Sequence, residues 1–303
     1  MDAMKTSDEV REAVDAGHPV LALESTIFTH GLPRPRNLEV ALDAEERVRG
    51  VGVVPATIGV VDGRPTVGLS PAEIERLATA DGVVKASVRD LAPIVVKELS
   101  AGTTVAATAH LAHRAGVRVF STGGLGGVHR GASESFDESA DLPTLAALPL
   151  VVVSAGVKSI LDIGLTLERL ETLGLGVVGY RTTDYPAFYI TDSGYDLDFS
   201  VDSPDEVARI ARARDALGIP STLLVAHPVD EAVQLSPELH DAVLAGALAA
   251  ADAAGVSGHD TTPFLLDAMQ RETGGRSLDV NVAVYRGNVD LGAQIALSLA
   301  GDA

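Results

Sequence analysis

The sequence predicts an α/β protein in which a largely parallel sheet is flanked by helices on both faces. Along its 303 residues, short apolar runs of strand length alternate with longer stretches in which apolar residues recur at helical spacing. Thirty glycines provide the tight turns that such alternation needs. Strands separated by helices pair in parallel and are covered on both sides. No linker, low-complexity tract or internal repeat interrupts the pattern, so we expect one domain over residues 1–303.

The individual elements follow from residue type and spacing. A helix start is marked at Ser70-Pro71-Ala72-Glu73, with a serine N-cap, proline at the first helical position and glutamate at the third, and the pattern recurs at Ser203-Pro204-Asp205-Glu206. Ligands of such sheets bind at the carboxyl ends of strands. The predicted strands are 19–23, 53–61, 117–120, 150–153, 175–180 and 221–226, and the further predicted helices are 37–50, 104–115, the stretch after Lys158 to about 173, 237–254 and 277–299.

Charge and composition disfavour several classes of partner. The formal net charge is −19, and aromatic residues make up 4% of the chain with no tryptophan. Proteins that hold nucleic acid usually present a basic face, so we expect no nucleic-acid partner. The acidity also disfavours anionic membrane surfaces, and no run of about 18 apolar residues is present to span a bilayer. A small anionic ligand in a local pocket remains compatible with this charge.

The absence of cysteine excludes disulfides, thiolate-bound metal clusters and thiol catalysis. Residues 1–17 are charged and lack an apolar signal region. We therefore expect a cytoplasmic protein.

Lys158 is the first candidate catalytic residue. Only four lysines are present, and this one ends the apolar run Leu150–Val157, which predicts a buried strand followed by a turn. A buried amine favours its neutral form, which is a nucleophile. The simpler explanation is a lysine that extends to solvent or pairs with a carboxylate.

Two segments after the strand at 117–120 are rich in glycine and then in acidic residues. The loop S-T-G-G-L-G-G-V-H-R-G at 121–131 lets backbone amides approach an anion, although His129 stands where a dinucleotide fingerprint needs its third glycine. A tight structural turn is the alternative, but His129 within the loop favours a functional role. In the run E-S-F-D-E-S-A-D at 134–141, Asp137 and Asp141 are candidate ligands of Mg²⁺ or Mn²⁺. The alternatives are a solvated acidic loop, or Ser139 and Asp141 facing a sugar hydroxyl or a phosphate.

Four more positions are candidates on chemical grounds. Glu24 ends an apolar strand, where desolvation raises the pKa of a carboxyl and suits a general acid, although a cap or ion pair would also explain it. Lys85 follows Val83-Val84 at a predicted strand end and is either a phosphate-binding cation or a surface lysine. The helix opening at Thr104 offers free amides to a phosphate, as any helix start does. Asn281 on an apolar helix either reads the amide edge of a base or is a satisfied core amide.

Several ordered blocks between residues 18 and 299 carry a family resemblance: ALEST at 22–26, THG at 29–31, VPATI at 54–58, the segments 85–91 and 122–141, AGVKSILD at 155–162, and the segment 257–266. Together they resemble the pseudouridine-5′-phosphate glycosidase family, also called pseudouridylate synthase or indigoidine synthase A-like proteins. The resemblance implies a three-layer α/β/α fold and a homotrimer. Two positions depart from the family pattern: Val88 replaces a basic residue, and His227 replaces the asparagine of an Asn-Pro pair.

The resemblance also implies roles for the candidate residues. Lys158 takes the position of the covalent nucleophile, Glu24 that of the proton donor, and Asp137 that of the ligand to Mn²⁺, for which Mg²⁺ is an alternative. His129 matches a further active-site position. The implied substrate-contact positions are Lys85, Thr104, Val105 through its backbone, Ser139, Ala140, Asp141 and Asn281.

The implied reaction is reversible cleavage of the C–C glycosidic bond of pseudouridine 5′-phosphate, giving uracil and ribose 5-phosphate through a lysine Schiff base. A carbon leaving group is poor, and an iminium at C1′ supplies the electron sink that an ordinary pair of carboxylates does not. Two alternatives stay open: another Schiff-base lyase of sugar phosphates, of the aldolase type, and a non-enzymatic protein that binds a sugar phosphate.

Overall fold

A computed structural model describes residues 4–256 and 261–301 of the chain. These residues build an 11-stranded, mostly parallel sheet with helices on both faces, which confirms the predicted fold class. Residues 257–260 of the last block behind the family resemblance lie outside the described part. Among the residues described, no helix is both long and apolar enough to cross a membrane. The strands are β1 (Lys5–Thr6), β2 (Val20–Leu23), β3 (Val54–Val61), β4 (Arg64–Val67), β5 (Val84–Ala86), β6 (Ala101–Thr103), β7 (Val119–Ser121), β8 (Val151–Ser154), β9 (Gly176–Tyr180), β10 (Ser200–Val201) and β11 (Leu223–Ala226).

The centre of the sheet is parallel throughout. The strands follow one another in the order β3-β2-β7-β8-β11-β9-β10, and each neighbouring pair is parallel. In register, Leu23 of β2 lies beside Thr57 of β3 on one side and Ser121 of β7 on the other. The segments that follow β2, β7 and β8 therefore emerge side by side at one edge of the sheet.

Strand β3 belongs to two parts of the sheet. Its first half pairs with β2, and its second half, Ile58–Val61, pairs antiparallel with β4 and β6. Because β5 is parallel to β6, both run opposite to the central strands. Lys85 is the middle residue of β5, so the expectation that it follows a strand in the manner of Glu24 was wrong. Strand β5 pairs with β6, which is antiparallel to β3. Lys85 therefore lies within a strand that runs opposite to β2, the strand that ends at Glu24.

Two hydrophobic cores cover the two faces of the sheet. Neighbouring residues of β2 alternate between them: Val20 and Ala22 belong to one core, and Leu21 and Leu23 to the other. This is the period-two alternation of a strand that is buried on both sides. It accounts for the three layers of the fold and for the continuous apolar run that the sequence shows in each central strand.

Helix starts follow the capping chemistry that the sequence predicts. Ser70 accepts from the Glu73 N–H while the Glu73 carboxylate accepts from the Ser70 N–H, which completes a capping box. Ser203 also caps its helix, but the carboxylate of Glu206 accepts from the N–H of Asp202 instead. The helices are α1 (Asp8–Asp15), α2 (Arg36–Gly50), α3 (Pro71–Thr79), α4 (Leu91–Val96), α5 (Val105–Arg114), α6 (Ala132–Ser135), α7 (Asp141–Leu145), α8 (Ile163–Thr172), α9 (Pro204–Ala216), α10 (Pro237–Ala253), α11 (Thr261–Glu272) and α12 (Arg276–Ala300), with a π-helical turn at Ile27–Gly31 and a 3₁₀ turn at Val88–Asp90.

The helix predicted directly after Lys158 begins only at Ile163. Asp162 is its N-cap and accepts from the N–H of Leu165 at 3.0 Å. The intervening residues run along the glycine-rich loop, with the N–H of Lys158 donating to the carbonyl of Leu125 at 3.2 Å. The capping aspartate therefore leaves Lys158 in a turn, where its backbone is held by the neighbouring loop.

Candidate active site

Glu24 is a buried carboxyl at the carboxyl end of β2. Only 8% of the residue is exposed, and its Oε1 accepts a hydrogen bond from the Thr122 hydroxyl at 2.6 Å. Burial raises the pKa of Glu24, because the charged form loses its hydration. The positive charge of Lys158 and the Thr122 hydroxyl oppose this rise in pKa, and the negative charge of Asp141 adds to it. A carboxyl with a raised pKa is suited to donate a proton near neutral pH.

Lys158 is partly buried, and it lies near enough to Glu24 for its charge to lower the pKa of that carboxyl. Its segment continues β8 as an extension of the sheet, since Val157 forms a parallel bridge with Leu125 of the glycine-rich loop. The carbonyl of Lys158 accepts from the N–H of Leu161 at 2.9 Å. The backbone on both sides of the lysine is thus held by hydrogen bonds, and this fixes the point from which its amine extends.

Lys85 is the second cation of the site. Its side chain keeps accessible surface, but the surrounding protein desolvates the amine, and this desolvation is the largest cause of its lowered pKa. The charge of Lys158 lowers the pKa of Lys85 further, while Glu24 and Asp141 raise it. These four charged groups therefore act on one another, although they come from four separate segments of the chain.

Asp141 ties the glycine-rich loop to the start of α5. Its Oδ1 accepts from the N–H of Ala106 at 2.9 Å and its Oδ2 from the N–H of Gly126 at 2.8 Å. The N–H of Asp141 donates to the hydroxyl of Ser139 at 3.2 Å, and Ala140 between them is exposed. Both carboxylate oxygens are engaged by backbone amides, so Asp141 acts in this structure as a clamp on the loop.

Gly126 has no space for a side chain. A Cβ there would lie 2.3 Å from the hydroxyl oxygen of Ser139 and 2.8 Å from Oδ2 of Asp141. The glycine is thus required by the close approach of the acidic segment, which is the structural reason for one of the glycines in the loop.

The start of α5 has fewer free backbone amides for an anion than the sequence predicted. Thr104 is the N-cap and accepts from the N–H of Ala107 at 3.4 Å, and Asp141 takes the N–H of Ala106. The N–H of Val105 is left without a hydrogen-bond partner among the residues that the structure describes. The predicted backbone contact from Val105 is therefore available to an incoming phosphate or hydroxyl group.

His129 and Asp137 form a pair beside this site. The Nδ1 atom of His129 lies 3.9 Å from Oδ2 of Asp137, and the His129 N–H donates to the Asp137 carbonyl at 3.0 Å. Within residues 4–256 and 261–301, no group of three or more histidine, aspartate or glutamate side chains is placed to hold a metal. Because a hard divalent cation keeps most of its waters and needs only one or two carboxylates, the partly exposed Asp137 fits such an ion.

Helix α12 contacts the glycine-rich loop through two asparagines, one of which the sequence did not single out. A Cβ built at Gly123 would lie 3.7 Å from Oδ1 of Asn281, so that predicted residue does face the glycine-rich loop. Asn288 was not predicted, and it donates to the carbonyls of Thr122 and Gly123 at 2.8 and 3.1 Å. Its Oδ1 lies 3.0 Å from Nδ1 of His227. His227, noted above as a departure from the family pattern, thus has a defined partner in this chain.

The arrangement can perform covalent chemistry on an anionic sugar. The buried carboxyl of Glu24, the amines of Lys158 and Lys85 and the carboxylate of Asp141 act on one another near the point where the segments after β2, β7 and β8 emerge. Thr122 directly follows a strand that neighbours β2, but the sequence does not indicate this neighbourhood. The missing signal was the strand order, which neither composition nor spacing provides.

Comparison with known proteins places the chain in a family. The model of the indigoidine synthase A like protein family matches residues 9–298. A protein of Saccharopolyspora erythraea named pseudouridine-5′-phosphate glycosidase is 64% identical over 295 residues, 97% of each chain. A protein of the same name from Frankia alni is 56% identical, over 97% of this chain and 81% of its own.

Two solved structures share the fold. The prealnumycin C-glycosynthase AlnA, in complex with ribulose 5-phosphate, superposes with a TM-score of 0.92 at 36% identity, covering 99% of this chain and 98% of its own. An indigoidine synthase A-like protein from Thermotoga maritima gives a TM-score of 0.88 at 34% identity, covering 98% and 96%. On these matches, the chain belongs to the indigoidine synthase A-like family.

Proposed function

We propose that this protein is an enzyme that reversibly cleaves the C–C glycosidic bond of pseudouridine 5′-phosphate, giving uracil and ribose 5-phosphate. The observation that carries the proposal is the buried Glu24 carboxyl with the Lys158 amine near it, in a chain 64% identical over 295 residues to a protein named for this activity. The sugar phosphate bound by the C-glycosynthase with the same fold supports the same substrate class.

The reaction begins with Lys158 and Glu24 acting together. In its neutral form the amine of Lys158 is a nucleophile, and in that form it bonds to C1′ while the bond from C1′ to the ring oxygen breaks, with Glu24 giving its proton to that oxygen. The adduct nitrogen now carries an extra proton, which the Glu24 carboxylate takes back. The sugar is open, and C1′ carries both the lysine nitrogen and the uracil ring.

Uracil leaves in the second step. The nitrogen lone pair forms an iminium with C1′, the bond from C1′ to the base breaks, and the base carbon takes the proton that Glu24 has recovered. Water then adds to the iminium, ribose 5-phosphate and the free amine of Lys158 are released, and the proton that the water loses returns to the Glu24 carboxylate. One water is consumed in total, and the same groups serve the reverse direction.

Other residues hold the substrate in this scheme. Lys85 and the free N–H of Val105 bind the phosphate or its neighbouring hydroxyl, and Asn281 faces the base. We propose that Asp137 holds a Mn²⁺ or Mg²⁺ ion, with His129 beside it, and that the ion when bound orders water and neutralises charge on the sugar phosphate. Further uracil or sugar contacts come from the segment Ser139–Asp141.

The direct test is release of uracil from pseudouridine 5′-phosphate, combined with borohydride trapping of ribose 5-phosphate. Wild type and Lys97→Ala, a variant of an exposed lysine, should release uracil and gain the mass of a reduced sugar phosphate. Lys158→Ala should do neither. Equal labelling of Lys158→Ala and wild type would contradict the covalent role of this lysine.

Product analysis separates the alternatives. A Schiff-base lyase of the aldolase type would give the trapped adduct and cleave other sugar phosphates without releasing uracil. A binding protein would hold ribose 5-phosphate without adduct or turnover. Formation of pseudouridine 5′-phosphate from uracil and ribose 5-phosphate by wild type would support the reversible reaction proposed here.

We also propose a homotrimer located in the cytoplasm. Light scattering coupled to size-exclusion chromatography should give a mass three times the 31.2 kDa of one chain. A single-chain mass across the working concentration range would contradict the trimer, and fractionation of cells would test the compartment.

A further inference from the structure

Thr122 has a partner for each of its polar atoms. It directly follows β7 and is fully buried, and its N–H donates to the carbonyl of Val153 at 3.0 Å. Its hydroxyl donates to Oε1 of Glu24 at 2.6 Å, and its carbonyl accepts from Nδ2 of Asn288 at 2.8 Å. Backbone and side chain are both fixed, so the position of this hydroxyl is determined by the protein before any substrate arrives.

Asn288 can lie in only one orientation. Its side-chain nitrogen contacts two carbonyls, those of Thr122 and Gly123, and a carbonyl can only accept. Its oxygen must therefore face Nδ1 of His227, which has to carry the proton. Burial lowers the pKa of His227 and so favours the neutral ring with that proton on Nδ1. The contacts on both sides of the Asn288 amide thus require the same orientation of this side chain, and the residue is only 1% exposed.

The backbone of α12 adds a further attachment at the same strand end. The carbonyl of Asn288 accepts from the hydroxyl of Ser121 at 2.8 Å. Three successive residues after and within β7 are thus tied to one residue of the helix: Ser121, Thr122 and Gly123. An apolar residue at 288 would leave the carbonyl of Thr122 without a partner, whereas the carbonyl of Gly123 would keep the N–H of Ala155 at 2.9 Å.

We propose that Thr122 is a positioning residue for Glu24, that its hydroxyl occupies Oε1 so that the proton given to the substrate is carried on Oε2, and that Asn288 holds Thr122 in this place. The inference rests on the proposed function, since it concerns which oxygen of the proton donor faces the substrate. A carboxyl that is free to rotate would offer either oxygen; the hydrogen bond removes this choice.

The charged and titratable groups that face Glu24 come from several elements. Lys158 after β8, Lys85 of β5, Asp141 at the start of α7 and Tyr285 of α12 all act on it or feel its charge. None of these is changed by a substitution at position 122. A change in the pH profile of a Thr122 variant would therefore report the hydroxyl itself.

The test is the pH profile of kcat/KM for uracil release by Thr122→Val, with Thr122→Ser as the matched control. Valine keeps the volume but removes the donor, which stabilises the charged form of Glu24. The limb in which activity falls at high pH should move upward by about one pH unit, and kcat should fall by roughly tenfold. Serine keeps the hydroxyl and should follow wild type. Coincident profiles for a folded Thr122→Val and wild type would overturn the proposal.

If Thr122→Val does not fold, two variants of His227 test whether Asn288 positions Thr122. His227→Phe keeps an aromatic ring against Tyr180 but removes the donor to Asn288, whereas the amide of His227→Asn can take the place of Nδ1. We expect a smaller upward shift for the phenylalanine variant and none for the asparagine variant. Identical profiles for the two would overturn the part assigned to Asn288. If wild type releases no uracil, it is the proposed function that fails, whichever profile the variants give.

Discussion

Replacement of Glu24 by glutamine tests the proton donor with little disturbance of its surroundings. The amide oxygen of glutamine can still accept from Thr122, so the 2.6 Å hydrogen bond of the buried site is kept. The substitution removes only the proton that the carboxyl delivers. Glu24→Ala would in addition leave a buried hydroxyl unpaired, at a cost of about 1–3 kcal/mol in stability. Glutamine is therefore the sharper variant.

The expected loss in rate follows from the role of a single acid. General acid catalysis contributes about 10²–10⁴-fold, which corresponds to about 3–5 kcal/mol in the activation free energy. Since the pKa of Glu24 is raised by burial, the wild-type activity should persist to higher pH than an ordinary carboxyl would allow and then fall as Glu24 ionises. Glu24→Gln should show a low kcat without this fall.

Although Glu24→Gln should be slower than wild type, it should be more stable to unfolding at high pH. A carboxyl with a raised pKa binds its proton more tightly in the folded than in the unfolded chain, so wild-type stability falls as the pH rises from the ordinary carboxyl range through the pKa of Glu24. Glutamine cannot ionise, and the variant should melt at a higher temperature than wild type at pH 8, with the difference disappearing near pH 4.

The assay measures uracil release, borohydride adduct formation and the melting temperature on the same preparations. Glu24→Gln should release uracil at least a hundredfold more slowly, yet still form the adduct with ribose 5-phosphate on long incubation, because free sugar opens without the enzyme. A rate within threefold of wild type would refute the role of Glu24 as proton donor. A lower melting temperature at pH 8 would refute the argument from its burial.

Three further substitutions test the rest of the site. Lys85→Met should raise the KM for pseudouridine 5′-phosphate by about 10–100-fold through loss of a charged contact, while Lys97→Met should leave KM unchanged; equal KM values in a steady-state assay would contradict the phosphate contact. Asp137→Asn should abolish Mn²⁺ binding in calorimetric titration without lowering the melting temperature, and retained binding would exclude this carboxylate as the ligand. Gly126→Ala should lower kcat/KM at least tenfold, because its Cβ would collide with Asp141, the aspartate that clamps the loop. The control Gly246→Ala, inside a helix with open space around it, should keep kcat/KM and gain about 0.5–1 kcal/mol of stability by thermal melting. The same kcat/KM for both variants would show that the clamp is not needed.

Much of the fold could be predicted because its signals are local. The apolar runs that became β2, β8 and β11 are buried on both faces, and this burial is what makes them continuous in sequence. Ser70 and Glu73 satisfy each other's amides within one turn and Pro71 has no N–H to satisfy, so the helix start needed no tertiary information. Strand order and the antiparallel arm at β4 and β6 depend on long-range pairing, which the residue pattern does not contain.

The candidate site divides in the same way. Lys158 and Glu24 could be selected as candidates because a charged side chain at the end of an apolar run is unusual on its own, and the structure brings the two together. Thr122 and Asn288 could not, since a threonine in a glycine-rich turn and an asparagine in a helix are ordinary until the strands and α12 are assembled around Glu24. The clamp formed by Asp141 was missed for a further reason: its partners are backbone amides, which every residue carries.

Strand β3 pairs in parallel with β2 through its first half and antiparallel with β4 and β6 through its second half, so the candidate residues fall into two groups on different parts of the sheet. The residues to which we assign the bond cleavage lie at the ends of the parallel strands, whereas the cation and the amide to which we assign the sugar phosphate lie on β5 and at the start of α5, next to the antiparallel part of the sheet. A substitution that shifts the outer arm would reposition its grip on the ligand while leaving the proton donor in register with its neighbours. Under these assignments, selectivity for the sugar phosphate and the chemistry at its anomeric carbon can be changed separately by substitution.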